Sequence, residues 1–238
     1  MKDTPLANAP NNVPLDNAAA LFHRFVEIVK ALRTPGSGCP WDLEQDHVSL
    51  RPFLVEEAHE VLDAIDDRDD PHLCEELGDL LLQIVLHAQV AADRAAFSIS
   101  DVVSAISDKM VRRHPHVFGG VQVTGAAEVI RNWEVIKAAE KRAKGRATEP
   151  SGLPRSLPAL LRAQRLDEKK ANTCGETADT GDLLREARAR FRLLGDAMAG
   201  GAPPEALDKP LGDVLFALCR LANRFALNAE EALRRSSG

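Results

Sequence analysis

Four acidic residues, Glu57, Glu60, Glu76 and Asp79, form two pairs of like spacing, Glu-x-x-Glu and Glu-x-x-Asp, on neighbouring stretches that both wind as helices. On the first stretch ideal winding places Leu54, Val55, Ala58, Val61, Leu62 and Ile65 in one apolar stripe, with Glu57 and Glu60 along one edge. On the second, Leu73, Leu77, Leu80, Leu81 and Ile84 make the stripe, and Glu76 and Asp79 take the corresponding edge. Glu56 and Glu75 wind away from the stripes by about 200° at roughly 100° per residue, and are assigned to solvent. The turn at Asp67–Pro71 is short, so the helices are expected to pack antiparallel and the four carboxylates to converge on one side of the hairpin. Close carboxylates repel one another unless hard divalent cations lie among them. An oxygen-only donor set selects Mg²⁺, with Mn²⁺ as substitute, over zinc. A di-iron carboxylate bundle is the rival reading, because Glu56-Glu57-Ala58-His59 contains a Glu-x-x-His string; the equivalent of His59 on the next helix is Gly78, so the second string is absent.

The elements that must carry these residues are all helical. Residues 1–15 read as a disordered leader, and 16–144 as a catalytic helical domain with helices near 16–33, 52–66, 70–94, 100–114 and 125–144. Asp69 precedes Pro71 as a cap for the second carboxylate helix, and Ser100 is assigned as cap for the next. Between the first two helices the stretch Thr34-Pro-Gly-Ser-Gly-Cys-Pro-Trp-Asp42 reads as turns. Residues 145–155 read as a linker, and 156–238 as a second helical unit with helices near 156–171, 181–199, 205–226 and 228–235. Leu77-Gly-Asp-Leu-Leu81 recurs there as Leu211-Gly-Asp-Val-Leu215, which suggests a duplicated unit. Alignment on that string sets Pro210 against Glu76 and Asp213 against Asp79, while helix position sets Glu186 and Ala189 against Glu57 and Glu60. The second copy is therefore degenerate and shortened, and suited to packing or dimerisation.

Composition bounds the chemistry. The 238 residues carry a formal charge of −6 with 45% hydrophobic and 28% charged residues, an ordinary globular balance without the clustered basic residues that nucleic acid requires. No run approaches the roughly 20 apolar residues of a membrane span, and no signal peptide is recognisable, so a cytoplasmic location is expected. Cys39, Cys74, Cys174 and Cys219 form no Cys-x-x-Cys pair and are expected to be reduced and mostly packing residues.

Taken in order, Gly38-Cys-Pro-Trp-Asp42 with Gln45 and His47, Glu57-x-x-Glu60, Glu76-x-x-Asp79, Lys109-x-x-Arg-Arg-His-Pro-His-Val-Phe118 and Trp133-Glu-x-Ile-Lys137 resemble the MazG-type nucleoside triphosphate pyrophosphohydrolases. The resemblance implies an all-α helical bundle and hydrolysis of nucleoside triphosphates to monophosphate and pyrophosphate, with nucleotide-pool housecleaning as the expected role; a homodimer is expected from the second unit. Magnesium would sit at Glu57, Glu60, Glu76 and Asp79. The reaction expected is attack by metal-activated water on the α-phosphorus, with Glu57 or Glu60 taking the proton. Lys109, Arg112 and Arg113 would suit the β- and γ-phosphates, although basic residues also favour a helix C-terminus. Trp41 could stack on a base or plug a core edge. The family commonly carries Thr at Asp46 and Tyr at Phe53 and His59. The alternative function is a nucleotide-sensing or scaffolding protein that binds without turnover.

Overall fold

The computed structural model describes residues 15–143, 152–174 and 178–237, and the described residues are helices and turns without a strand. The protein is all-α. The proposed leader up to Pro14 and most of the proposed linker lie outside the described residues. The chain divides into two compact units after Glu140. None of the described helices is long and apolar enough to cross a membrane.

The first unit contains α1 (Leu15–Leu32), α2 (Pro40–Glu44), α3 (Arg51–Asp67), α4 (Asp70–Asp93), α5 (Ile99–Arg113), α6 (Pro115–Phe118) and α7 (Ala126–Ala143). Its centre is the α3–α4 hairpin, against which α1 packs through α4. The turn is built from two residues. Arg68 adopts the left-handed region at φ 57° to close α3, and the Asp69 side chain then accepts the backbone N–H of His72 at 3.1 Å to open α4. Val29, Leu50, Val85, Leu86 and Val90 form the buried core, with Phe22, Phe25, Val26, Phe53, Leu82 and Ile99 packed around it. Leu50 and Val85 are fully buried, so the residue before α3 and the middle of α4 are pinned by apolar burial.

The stretch read as turns contains the short α2, started by Pro40 in its first turn. Gly38 precedes it because a Cβ there would stand 2.3 Å from the Leu32 carbonyl oxygen. The loop is clamped by Arg33, 8% exposed, whose guanidinium pairs with Asp93 at 2.8 Å and donates to the carbonyls of Asp42 and Gln45. One buried cation thus ties the ends of α1 and α4 to the segment carrying Trp41 and leading to His47. Further on, the cap of α5 is Ser98, not Ser100: Ser98 and Asp101 form a reciprocal capping box, which satisfies two end donors where Ser100 would satisfy one.

The second unit contains α8 (Ala159–Cys174), α9 (Thr180–Ala199), α10 (Pro204–Arg224) and α11 (Ala229–Ser237). It is organised around an α9–α10 hairpin with α8 packed on α10 and α11 on α8. Leu183, Ala187, Val214, Ala217 and Cys219 are buried. Gln164, 4% exposed, joins three segments: it donates to Asn223 at 2.8 Å and to the Leu227 carbonyl at 2.7 Å, and accepts from the Ala229 N–H at 2.7 Å. Such a satisfied buried amide specifies one register.

Candidate active site

Ideal winding places Leu50, Leu54, Val61 and Ala64 within about 60° of Glu57, so that Glu57 sits near the middle of the face α3 turns towards α4. Glu76 holds the same position among Leu73, Leu80 and Gln83 on α4. This corrects the expectation of a carboxylate rim beside one broad apolar stripe. The stripe splits in two: Leu54, Val61, Leu73 and Leu80 are half-buried, whereas Val55, Ala58, Leu62, Ile65, Leu77, Leu81 and Ile84 are exposed. The hairpin packs on the acidic flank of each stripe and leaves the other flank bare. Glu56 and Glu75 are exposed, as the winding requires.

The result is an acidic group lodged between helices. Glu57, Glu76 and Asp79 each present an oxygen within 4.8 Å of the other two, and Glu76 is buried to 8% exposure. Glu60 is exposed one turn along α3, and its charge acts on Glu57. At that separation two carboxylates repel by roughly 3–4 kcal/mol at an effective dielectric of about 20. Three such repulsions are comparable to the roughly 5–15 kcal/mol of a typical folding free energy. The group must therefore take up positive charge, as protons or as a cation. Glu57 bends in that direction: its carboxyl is pushed above the usual glutamate range first by burial, then by the neighbouring carboxylates Glu60 and Asp79. The donor set is oxygen only. His59 is exposed on α3, and the described residues show no mixed histidine–carboxylate group of the di-iron kind.

Polar contacts extend from this group along α4. His72 pairs with Glu76 at 2.9 Å, and Gln83, 5% exposed, donates to Glu57 at 3.5 Å. One turn beyond, His87 meets His47 with their Nδ1 atoms 2.9 Å apart and their rings stacked at 5.2 Å. Burial and the His47 charge push the His87 imidazole below its ordinary range, so it is neutral at neutral pH and one ring donates while the other accepts. Gln83 and His87 were not among the residues expected at the site. Their signal was available: they follow Asp79 at i+4 and i+8, polar residues on a packed helical face.

The arginines of the basic segment are engaged by α7. Arg112 and Arg113 pair with Glu140 of α7 at 3.3 and 2.6 Å, and Arg113 also lies over the Trp133 ring at 5.0 Å. Their ion pairs run to α7, not to the acidic group. Lys109 is half-buried on α5. His114 closes α5 with its Nδ1 on the Met110 carbonyl, and Lys137 pairs with Glu134. Trp41 is 50% exposed and meets Phe53 edge-on at 5.7 Å, so it is not sealed into a core.

Comparison with known proteins places this geometry. The MazG nucleotide pyrophosphohydrolase domain matches residues 45–118, which include every residue of the acidic group. A nucleoside triphosphate pyrophosphohydrolase of Escherichia coli K12 is 38% identical over 215 residues, covering 90% of this chain and 82% of the relative. The nucleoside triphosphate pyrophosphohydrolase/pyrophosphatase MazG of Thermotoga maritima is 36% identical over 223 residues, 94% of this chain and 84% of the relative. The chain belongs to the MazG family. It also matches YabN of Bacillus subtilis, described as uncharacterized, at 38% identity over 247 residues, where it spans half the relative's length.

Departures of this MazG-family chain from the common pattern have local reasons. Asp46 accepts the backbone N–H groups of Val48 at 2.7 Å and Ser49 at 2.8 Å, and these bonds lower its carboxyl below the usual range. Phe53 packs on the core beneath Trp41. In the second unit the aligned carboxylates meet protein cations. Asp213 is flanked by Lys209 at 2.7 Å and Arg190 at 3.4 Å, which hold its carboxyl low, and Glu186 pairs with Arg220, itself on Asp167 at 3.0 Å. Of the cysteines, Cys219 is buried, Cys39 half-buried and Cys74 exposed, while the side chain of Cys174 lies outside the described residues.

Two outcomes are expected. The raised carboxyl of Glu57 means that the charged form is disfavoured by folding, so the metal-free protein loses stability as pH rises from the ordinary glutamate range through the raised value. Glu57→Gln removes that loss: its thermal midpoint without metal equals or exceeds the parent's at pH 7, by circular dichroism, and a lower midpoint would contradict a strained acidic group. The double variant Glu186→Gln with Asp213→Asn is expected to keep near-normal steady-state turnover, whereas a loss of about a hundredfold, roughly 2.7 kcal/mol of barrier, would place those residues in the working site.

Proposed function

We propose that this MazG-family chain hydrolyses nucleoside triphosphates to nucleoside monophosphate and pyrophosphate by attack of water on the α-phosphorus, at an acidic site that requires a divalent cation, Mg²⁺ by donor chemistry. The observation that carries the reading is the group of three mutually repelling carboxylates held between packed helices of a MazG domain. Glu57, Glu76 and Asp79 would hold the cation, with Glu60 completing the acidic group beside Glu57. Bound there, a divalent cation neutralises polyphosphate charge and lowers the pKa of coordinated water. Glu60, solvent-exposed beside Glu57, would receive the proton that attacking water releases, or Glu57 would take it. Lys109 is assigned to the β- and γ-phosphates, with Arg112 and Arg113 able to join it only by leaving Glu140. Trp41, half-exposed over Phe53, offers a face for a nucleobase.

The substrate reading includes a homodimer, with a second copy covering the bare flank of the hairpin. Val55, Leu62, Ile65, Leu77, Leu81 and Ile84 are each at least 36% exposed and line one side of it. Antiparallel winding puts the two outer stripes on the same flank, so together they make a single apolar surface suited to a self-complementary contact. The chain also appears in halves: the shared Leu-Gly-Asp register and matched hairpins support a duplicated unit whose second copy has lost the site.

Hydrolysis of ATP and its deoxy counterpart in ¹⁸O-water, followed by mass spectrometry, tests the reaction. Label is expected in the monophosphate, pyrophosphate is the first inorganic product, and a chelator stops turnover. Label in pyrophosphate, orthophosphate as first product, or binding without product would each sink the reading. For the dimer, sedimentation velocity should show a two-chain species that Leu81→Glu converts to one chain; a monomeric parent would refute it.

A further inference from the structure

We propose that Gln83 is a positioning residue of this site: its side-chain amide holds the Glu57 carboxylate in the orientation that faces Glu76 and Asp79. The inference rests on the reading of those three carboxylates as metal ligands, and concerns a residue outside the two acidic motifs.

The geometry supplies the first argument. Gln83 lies one turn beyond Asp79 on α4, 5% exposed, with Nε2 directed at Glu57 Oε1 at 3.5 Å. Glu76 has His72 beside it at 2.9 Å, whereas Glu57 meets Gln83 and other carboxylates. A neutral donor on one oxygen fixes the carboxylate plane and leaves lone pairs of the carboxylate available to a cation. A charged donor would cancel the negative charge that a cation needs, as Arg220 does for Glu186 in the second unit.

The second argument is energetic. The carbonyl oxygen of the same Gln83 side chain is buried without a hydrogen-bond partner. A side chain kept for packing alone would be apolar here, because an unpaired buried carbonyl loses its hydration for nothing. The amide is explained by its donor.

The chain itself provides the control. With Leu77-Gly-Asp79 set on Leu211-Gly-Asp213, Gln83 corresponds to Ala217, 3% exposed at the same register. His72, Glu76 and His87 correspond to Ala206, Pro210 and Leu221. Apolar positions of the two helices stay apolar, Leu77 with Leu211, Leu80 with Val214, Leu81 with Leu215 and Ile84 with Leu218. The fold of the hairpin therefore tolerates a small apolar residue at this buried place. The amide is present where the acidic group is complete and absent where Ala189 and Pro210 replace two of its carboxylates and Arg220 takes up the Glu186 charge instead.

The test is Mn²⁺ titration of the metal-free full chain by calorimetry, with Gln83→Met as a variant of similar volume. The parent is expected to bind Mn²⁺, and failure to do so would overturn the metal reading itself. Gln83→Met is expected to bind about tenfold more weakly, as loss of a group orienting a metal ligand does. Its metal-free thermal midpoint should stay within about 2 °C of the parent, and its rate loss at low metal should recover as metal is raised, a recovery that a packing defect would not show. Unchanged Mn²⁺ affinity in a folded variant, or a lowered midpoint with unchanged affinity, overturns the proposal. If Gln83→Met does not fold, Gln83→Ala, the residue the second unit buries at this register, replaces it; failure of both to fold assigns Gln83 to structure and overturns the positioning role.

Discussion

Repulsion among three carboxylates enclosed by two helices is the constraint to which the rest of the first unit answers. Glu57 and Glu76 occupy positions that ideal winding would give to leucines in a hairpin built for stability alone. The fold accepts this because α4 continues well beyond the acidic group into Val85, Leu86 and Val90, where α1 supplies Val29 and its phenylalanines. Apolar burial at one end of the hairpin offsets electrostatic strain at the other, an arrangement in which local destabilisation is kept where a charged ligand can relieve it.

The two hairpins show what the strain is for. In the second unit Lys209, Arg190 and Arg220 supply cations from the protein, so the residual acids Asp213 and Glu186 are neutral in pairs and demand nothing from solution. In the first unit the nearest partners of the acidic group are an amide, an imidazole and other acids. The contrast lies in the charges and not in the backbone, since both units fold as helical hairpins. A site that leaves its charge uncompensated is one that awaits a ligand.

Much of this could be read in the chain. The all-α class and the carboxylate pairing followed from periodicity and spacing, and the Asp69 cap from side-chain chemistry next to Pro71. Three things escaped for physical reasons. The helix α2 is too short for periodicity to register, and Pro and Gly there signal turns as readily as a helix start. The broad apolar stripe on each helix spans two faces, and winding alone cannot say which one the neighbour covers; Glu57 and Glu76 were therefore placed at a rim instead of between helices. Gln83 and His87 are near-silent in the sequence because single polar residues within an apolar run carry no motif, and only their contacts with Glu57 and His47 reveal a role. The basic residues of α5 show the converse, a motif whose members Arg112 and Arg113 are engaged by Glu140 through a contact that no local spacing announces.

The central claim, that the α3–α4 carboxylates are a cation site and their counterparts in α9–α10 are not, is tested most directly by anomalous diffraction from crystals grown with Mn²⁺. The account predicts an anomalous peak at about 2.0–2.3 Å from oxygens of Glu57, Glu76 and Asp79, and none beside Asp213 or Glu186. A peak at Asp213 with none at Glu57, or an acidic group that stays free of manganese in crystals of an active protein, would contradict it.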